Sequence, residues 1–216
     1  MKLYYDPITV NCRKVVAGLD LIGAGYEDEL LSYFGGDHKK PEFRAVNPNA
    51  ELPALVDGDL VLWESNAILV YGAEKTGNRT AYPADAKTRA DITRWLLWES
   101  SKWFAGCYVY LVQNVVNPIL DSTPDQAVLD EHGPAFHGMA SILEAALEGR
   151  EWLCADNPTI ADIAVAAPMH LHAVQKLPLD DYPNIRGWIA RVEGLPCWQN
   201  SDPVLHIPAE LLAKLA

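Results

Sequence analysis

Every strand-like segment of this 216-residue chain falls before residue 64, and everything after reads as helix. That asymmetry limits the fold to a small α/β unit followed by an all-helical one. Residues 2–5, Lys-Leu-Tyr-Tyr, predict a short strand that stops at Asp6-Pro7. From Arg13 onward, Val15, Val16, Leu19 and Ile22 recur at helical spacing, and Gly23 and Gly25 end the pattern. Residues 26–31 supply a second strand in spite of Glu27, Asp28 and Glu29. Pro53-Ala54-Leu55-Val56, Asp57-Gly58-Asp59 and Leu60-Val61-Leu62-Trp63 then predict a hairpin, because glycine accepts the positive φ of a tight turn. Ser65 caps a helix that carries Ala67, Ile68 and Tyr71 on one face and ends before Gly77. The order predicts a parallel β-α-β unit joined to an antiparallel pair in one mixed sheet.

Thr80-Ala81-Tyr82-Pro83 reads as a linker, so the expected domains are residues 1–78 and 86–216. The second holds a long helix over 86–117 that ends at Pro118, and another over 125–147 that stops near Gly149. Gly133-Pro134 is expected to kink or divide the latter, because proline removes a helix hydrogen bond. Thr159-Ile160-Ala161-Asp162 is a capping-box variant opening a third helix, and residues 184–192 and 208–215 give shorter ones.

Charge excludes several partners. There are 17 basic and 29 acidic residues, for a net charge of −12, whereas tracking phosphates requires clustered Lys and Arg. Nucleic acid and anionic membrane surfaces are therefore not expected. No apolar run approaches the ~20 residues that span a bilayer, and Met1-Lys2-Leu3-Tyr4-Tyr5-Asp6-Pro7 does not read as a signal peptide. The four cysteines, Cys12, Cys107, Cys154 and Cys197, are far apart and lack metal-site spacing, so no metal is expected. Their pattern suits a reducing cytoplasm.

Thr9-Val10-Asn11-Cys12 follows the first strand, at a helix N-terminus where free N–H groups and the helix dipole favour negative charge. A thiolate there has a lowered pKa, and Thr9 and Asn11 can each donate to it. The competing reading is that the two are merely cap and turn residues. Thr9 occupies the first position of a Cys-x-x-Cys pattern, so a self-contained dithiol is missing and any thiol chemistry uses a ligand's sulfur. Cys12 is read as a buried structural thiol and the other cysteines as small apolar fillers. His170 and His172 are two apart, so they do not face each other on a helix and are not taken as a chelate.

Thr9-x-x-Cys12-Arg13, Leu52-Pro53-Ala54-Leu55, Trp63-Glu64-Ser65-Asn66-Ala67-Ile68 and Thr159-Ile160-Ala161-Asp162-Ile163 occur in that order along nearly the whole chain. Together they resemble the cytosolic glutathione transferases. The resemblance implies a thioredoxin-like N-terminal domain, an all-α C-terminal domain, glutathione as co-substrate and a homodimer. It implies that Ser65 and neighbouring N–H groups hold the γ-glutamyl carboxylate, that Glu64 meets the α-amino group, and that Leu52, before a cis Pro53, pairs with the cysteinyl backbone. It also implies that His38, helped by Lys39, faces the glycyl carboxylate. A solvated loop is the competing reading of that basic cluster.

The chain departs from the family where Ala50-Glu51 replaces the Gly-Lys of many relatives, which removes a cation from the glycyl end. Thr9 replaces the usual Tyr, Ser or Cys, and the Thr-x-Asn pair resembles nu-class members that favour disulfide reduction. Aromatics crowd the long helix, and Trp103 and Tyr108 are expected at an apolar second-substrate pocket. The functional expectation is a glutathione transferase or glutathione-dependent disulfide reductase acting on a small electrophile or disulfide. The alternative is a non-catalytic scaffold or glutathione-sensing protein.

Overall fold

Strand β1 (Lys2–Tyr5) is an interior strand, parallel to β2 (Glu27–Leu30) on one side and antiparallel to β3 (Ala54–Asp57) on the other. With β4 (Leu60–Trp63) it completes a four-stranded sheet of order β2-β1-β3-β4, the mixed sheet expected from sequence. These elements belong to a computed structural model that describes residues 1–207, so the helix expected over 208–215 lies outside the described residues. Side-chain alternation assigns the two faces of the sheet. Leu3 lies opposite Leu55, and both are buried in the main core with α1 (Val10–Ile22) and α3 (Ser65–Thr76). Tyr4 lies opposite Ala54 and packs on Phe43 of α2 (Pro41–Arg44), with ring centroids 5.9 Å apart. The acidic β2 is tolerated because it is an edge strand whose charges face outward. There Lys2 Nζ pairs with Glu29 at 2.6 Å and the Tyr5 hydroxyl donates to Asp28 at 2.9 Å.

Gly58, at φ +64°, supplies the left-handed residue that the hairpin turn requires. Glycine also sets the approach of α1 to α3. A Cβ at Gly18 would stand 2.2 Å from Leu69 Cδ2, and one at Gly72 would stand 2.7 Å from Leu19 Cδ2.

The helical half begins with a long rod. Helices α4 (Ala86–Trp98), α5 (Phe104–Leu111) and α6 (Asn117–Ile119) follow one another through two wider i→i+5 turns at Glu99–Trp103 and Val112–Val116. Pro118 lies in the last short turn instead of ending the rod. Asp125 caps α7 (Gln126–Ala146) by accepting the Ala127 N–H at 2.9 Å. Of the kink or division expected at Gly133-Pro134, the division is absent: Pro134 lies inside an unbroken α7. Phe136, Ala140 and Leu143 are fully buried along its core face, and that burial outweighs the single hydrogen bond proline removes.

The capping box at α8 (Ile160–Ala166) is present. The fully buried Asp162 carboxylate accepts the Thr159 N–H at 2.8 Å, the Leu153 N–H at 2.9 Å and the Trp188 indole N–H at 3.0 Å. Helices α9 (His172–Gln175), α10 (Pro183–Glu193) and α11 (Pro196–Asn200) follow, α10 one residue longer at each end than expected. Within the 80–83 stretch Ala81 and Tyr82 are buried, and the Ala81 carbonyl accepts the Ile160 N–H at 3.1 Å. Arg13 of α1 ties the halves together. It donates to the carbonyls of His170 at 2.9 Å and Trp198 at 3.2 Å, with its guanidinium 4.2 Å from the Trp198 ring. No helix among the described residues is long and apolar enough to cross a membrane.

Candidate functional site

Two braced turns build one wall of the site. The buried Asp6 carboxylate accepts the Ile8 N–H at 3.1 Å and the Tyr33 N–H at 2.7 Å. It thereby fixes both the turn entering α1 and the aromatic loop beside it. Thr9 takes the N-cap position of α1 with extended backbone, and its hydroxyl donates to the Asp6 carbonyl at 3.2 Å. Thr9, Asn11 and Leu52 line a cleft of about 350 Å³. Cys12 is fully buried, accepts the Asp6 N–H at 3.4 Å, and burial pushes its thiol pKa up to about 12. It is the structural thiol read from sequence.

Beside this wall is the corner between β4 and α3. Glu64, exposed, has φ +72° and ψ 110° with no side-chain cap hydrogen bond. Ala50 has φ 56°, so two non-glycine residues with left-handed φ flank the hairpin. Backbone strain of this kind concentrates at functional sites. The Leu52–Pro53 peptide is cis. Ser65 is not the cap, as expected from sequence, but the first residue of α3, because Glu64 makes the turn. The Ser65 hydroxyl lies 3.5 Å from Asn11 Oδ1, which joins the N-terminal turns of α1 and α3.

The opposite wall is helical. Phe104, Tyr108 and Leu111 of α5 face the cleft, Phe104 and Tyr108 stacked with centroids 5.2 Å apart. Burial raises the Tyr108 phenol above its ordinary pKa, so it stays neutral at physiological pH. Trp103 does not line this cleft as expected. It is fully buried, stacked between Trp98 at 5.5 Å and Phe136 at 5.3 Å, and donates its indole N–H to the Val165 carbonyl at 3.0 Å. Helical periodicity explains the difference: Trp95, Glu99, Trp103 and Cys107 follow one inward stripe, while Phe104, Tyr108 and Leu111 follow the adjacent one.

The basic cluster separates. His38 is buried, its ring stacked on Tyr33 at 4.4 Å, and desolvation lowers its pKa. Lys39 is exposed, while Lys40 pairs with Asp37 at 2.6 Å. Neither His38 nor Lys39 lines the cleft, whereas Tyr33, Phe34 and Glu51 do. The histidine pair is also apart: His170 is buried with both ring nitrogens unpartnered and its pKa pushed down to about 3 by burial, while His172 Nε2 lies 3.0 Å from Glu193.

Among the residues of this region that sequence reasoning missed are two pairs. Tyr33 and Phe34 form an aromatic pair in a loop whose Gly35-Gly36 ending was its only signal. Lys14 and Glu99 are fully buried and paired at 2.8 Å behind Ser65. Glu99 had a readable signal, a carboxylate four residues from both Trp95 and Trp103 on an apolar stripe.

Known proteins share this fold. Residues 1–74 match the family model for the glutathione S-transferase N-terminal domain, and residues 101–196 match that for the C-terminal domain. A protein of Oryza sativa subsp. japonica, named a probable glutathione S-transferase, is 32% identical over 212 residues, covering 97% of this chain and 99% of its own. Glutathione S-transferase 3 of Zea mays is 32% identical over 213 residues, covering 96% of each chain. A solved structure of maize glutathione S-transferase I in complex with an atrazine glutathione conjugate superposes with a TM-score of 0.85 at 28% identity, covering 96% of this chain and 99% of the other. The cleft between the N-terminal turns and α5, and the two matched domains around it, have one common explanation: the chain belongs to the glutathione S-transferase family.

Proposed function

We propose that the protein is a glutathione transferase whose co-substrate, glutathione, binds along the turns that open α1 and α3. The observation that carries this reading is the convergence of those two helix N-termini, through Asn11 and Ser65, beside one cleft. Helix N-termini favour anions, and glutathione brings a thiolate and two carboxylates to match. In this reading residues 1–78 form the glutathione-binding domain and 86–216 the helical domain.

Ser65 and the free N–H groups of α3 receive the γ-glutamyl carboxylate, and the exposed Glu64 receives the α-amino group. Leu52, ahead of Pro53, offers backbone groups to the cysteinyl residue. Lys39 meets the glycyl carboxylate, and His38 acts through Tyr33, whose ring it supports. The sulfur then faces Thr9 and Asn11. The Thr9 hydroxyl exchanges its bond to the Asp6 carbonyl for one to sulfur, and the Asn11 amide donates a second. Both stabilise the thiolate over the thiol, as does the dipole of α1.

The thiolate attacks an electrophilic carbon, forming a C–S bond as the leaving group departs with its electron pair. On a disulfide it attacks one sulfur, forming a mixed disulfide and releasing the other as thiolate. Phe34, Phe104 and Tyr108 give the second substrate an apolar, aromatic wall. This reading supports catalysis over the scaffold alternative, because the cleft leaves room for a partner beside Thr9 and Asn11.

The dimer is part of the same proposal. Val61 and Trp63 on the edge strand β4 and Leu97 on α4 are exposed apolar side chains, the kind a second copy covers. The four free cysteines fit a reducing cytoplasm. Calorimetry with glutathione, followed by turnover of a chloronitrobenzene and of a small disulfide, tests the function. Saturable binding with turnover of either substrate is expected, and no binding at millimolar glutathione would refute it.

A further inference from the structure

Lys14 and Glu99 are the unusual residues behind this site. Their side chains are only 2% and 0% exposed, and Nζ lies 2.8 Å from Glu99 Oε2. They come from distant parts of the chain, Lys14 from α1 and Glu99 from the wide turn between α4 and α5. A buried ion pair is a poor stabilising device, because desolvating both charges offsets most of their attraction and an apolar pair of similar volume serves the core as well. Its place in the fold points to another role. Lys14 Nζ also donates to Ser65 Oγ at 3.1 Å, and Asn66 Nδ2 donates to Glu99 Oε2 at 3.0 Å and to the Leu96 carbonyl at 2.9 Å.

The hydrogen-bond inventory makes the consequence specific. An ammonium has three donors and no acceptor, whereas a serine hydroxyl has one proton and two lone pairs. With Lys14 on one lone pair, Ser65 cannot turn its proton inward and must donate it outward. The acceptor it meets is Asn11 Oδ1, 3.5 Å away, too long for a strong bond. The hydroxyl is thus held as a donor with a weak partner, at the first residue of a helix whose own N–H groups also point outward. Ser65 touches the positive member of the pair, so the nearer end of the buried dipole also favours an anion.

We propose that Lys14, anchored by Glu99, is a positioning residue that fixes the Ser65 hydroxyl as a donor to the carboxylate of an α-amino-acid ligand. The inference rests on the reading of the α3 corner as the γ-glutamyl site. Lys14 touches no substrate and acts only through Ser65. Asn66, by holding both Glu99 and the Leu96 carbonyl, keeps the anchor from following the ammonium.

Lys14→Met alone strands the Glu99 carboxylate, so the deciding variant is Lys14→Met with Glu99→Met, which removes both charges and keeps apolar volume. Thermal unfolding confirms that it folds. Calorimetry then measures glutathione and an analogue lacking the γ-glutamyl α-carboxylate, on wild type, Ser65→Ala, the double variant and the triple combination. The expected result is a roughly tenfold loss of glutathione affinity in the double variant and little further loss on adding Ser65→Ala. The carboxylate-free analogue is expected to bind all four proteins alike. A folded double variant that binds glutathione as tightly as wild type, while Ser65→Ala in wild type weakens it, overturns the role of Lys14 alone. Equal losses for glutathione and the analogue also overturn it, since they mark general distortion. A wild-type protein whose glutathione binding ignores Ser65→Ala overturns the site reading as well.

Discussion

Trp103 and Phe104 are neighbours in sequence and face opposite surroundings: Trp103 is fully buried against Phe136, while Phe104 lines the open cleft. Their variants should therefore separate stability from substrate recognition. Trp103→Ala is expected to lose about 3–5 kcal/mol in chemical denaturation. Phe104→Ala is expected to lose about 1 kcal/mol and to raise KM for an aromatic electrophile several-fold. A Trp103→Ala protein of wild-type stability with an altered electrophile KM would reverse this assignment.

In the proposed function Thr9 and Asn11 donate to the glutathione sulfur, and a hydrogen bond to a charged group is worth about 1.5–3 kcal/mol. One pKa unit corresponds to about 1.4 kcal/mol, so losing both donors should raise the bound thiol's pKa by about 1 unit or more. Thiolate absorbance of the Thr9→Ala, Asn11→Ala double variant against pH measures this directly. An unchanged pH–rate profile would remove both residues from the chemistry.

Glu51 lines the cleft and is exposed, with its carbonyl held by the Asn47 side chain at 2.7 Å. Near the glycyl carboxylate it repels what a lysine would attract. Exposed pairs are worth about 0.2–1 kcal/mol, so Glu51→Lys should lower KM for glutathione by about 2–5-fold. The gain should shrink as salt is added. An identical KM at low salt would place the glycyl end elsewhere.

The Asp57 carboxylate, at the end of β3, accepts the Tyr71 hydroxyl at 2.5 Å and pairs with Lys75. These partners, Lys75 first, lower its pKa from 3.8 to about 2. A carboxylate whose pKa is lower in the folded state stabilises above the unfolded value and loses that contribution as pH falls through the folded one. Acid unfolding of the wild type should therefore steepen between pH 3.8 and about 2. Asp57→Asn should flatten that limb and be less stable at neutral pH, as fluorescence-monitored acid titration would show.

Local chemistry made much of the fold readable in advance. The Asp57-Gly58-Asp59 turn, the Thr159–Asp162 capping box and the glycine at the end of α1 each act within a few residues, and all three are present. The turn bearing Thr9 and Asn11 was equally visible, because a strand followed at once by a helix creates an anion-favouring N-terminus whatever the rest does. What escaped depended on partners far along the chain. The stacking of His38 on Tyr33 was not visible in sequence, and Trp103 could be separated from Phe104 only by knowing which stripe of the rod meets α7. A division at Pro134 was among the expectations because sequence shows the lost hydrogen bond but not the buried stripe that holds α7 together. Lys14 was hidden for a further reason: α1 is buried on nearly every side, so periodicity marks no face for it.

The Arg13 bracket has a mechanical corollary. Helix α1 carries Thr9 and Asn11 at its mouth, yet its next residue beyond Cys12 is clamped to backbone oxygens at positions 170 and 198. The turn that opens α1 is thus moored to the helical half of the chain as well as to the sheet that launches it. Slack introduced around α11 would be transmitted along the guanidinium strut to the Thr9–Asn11 turn, although α11 supplies none of the residues that line the cleft.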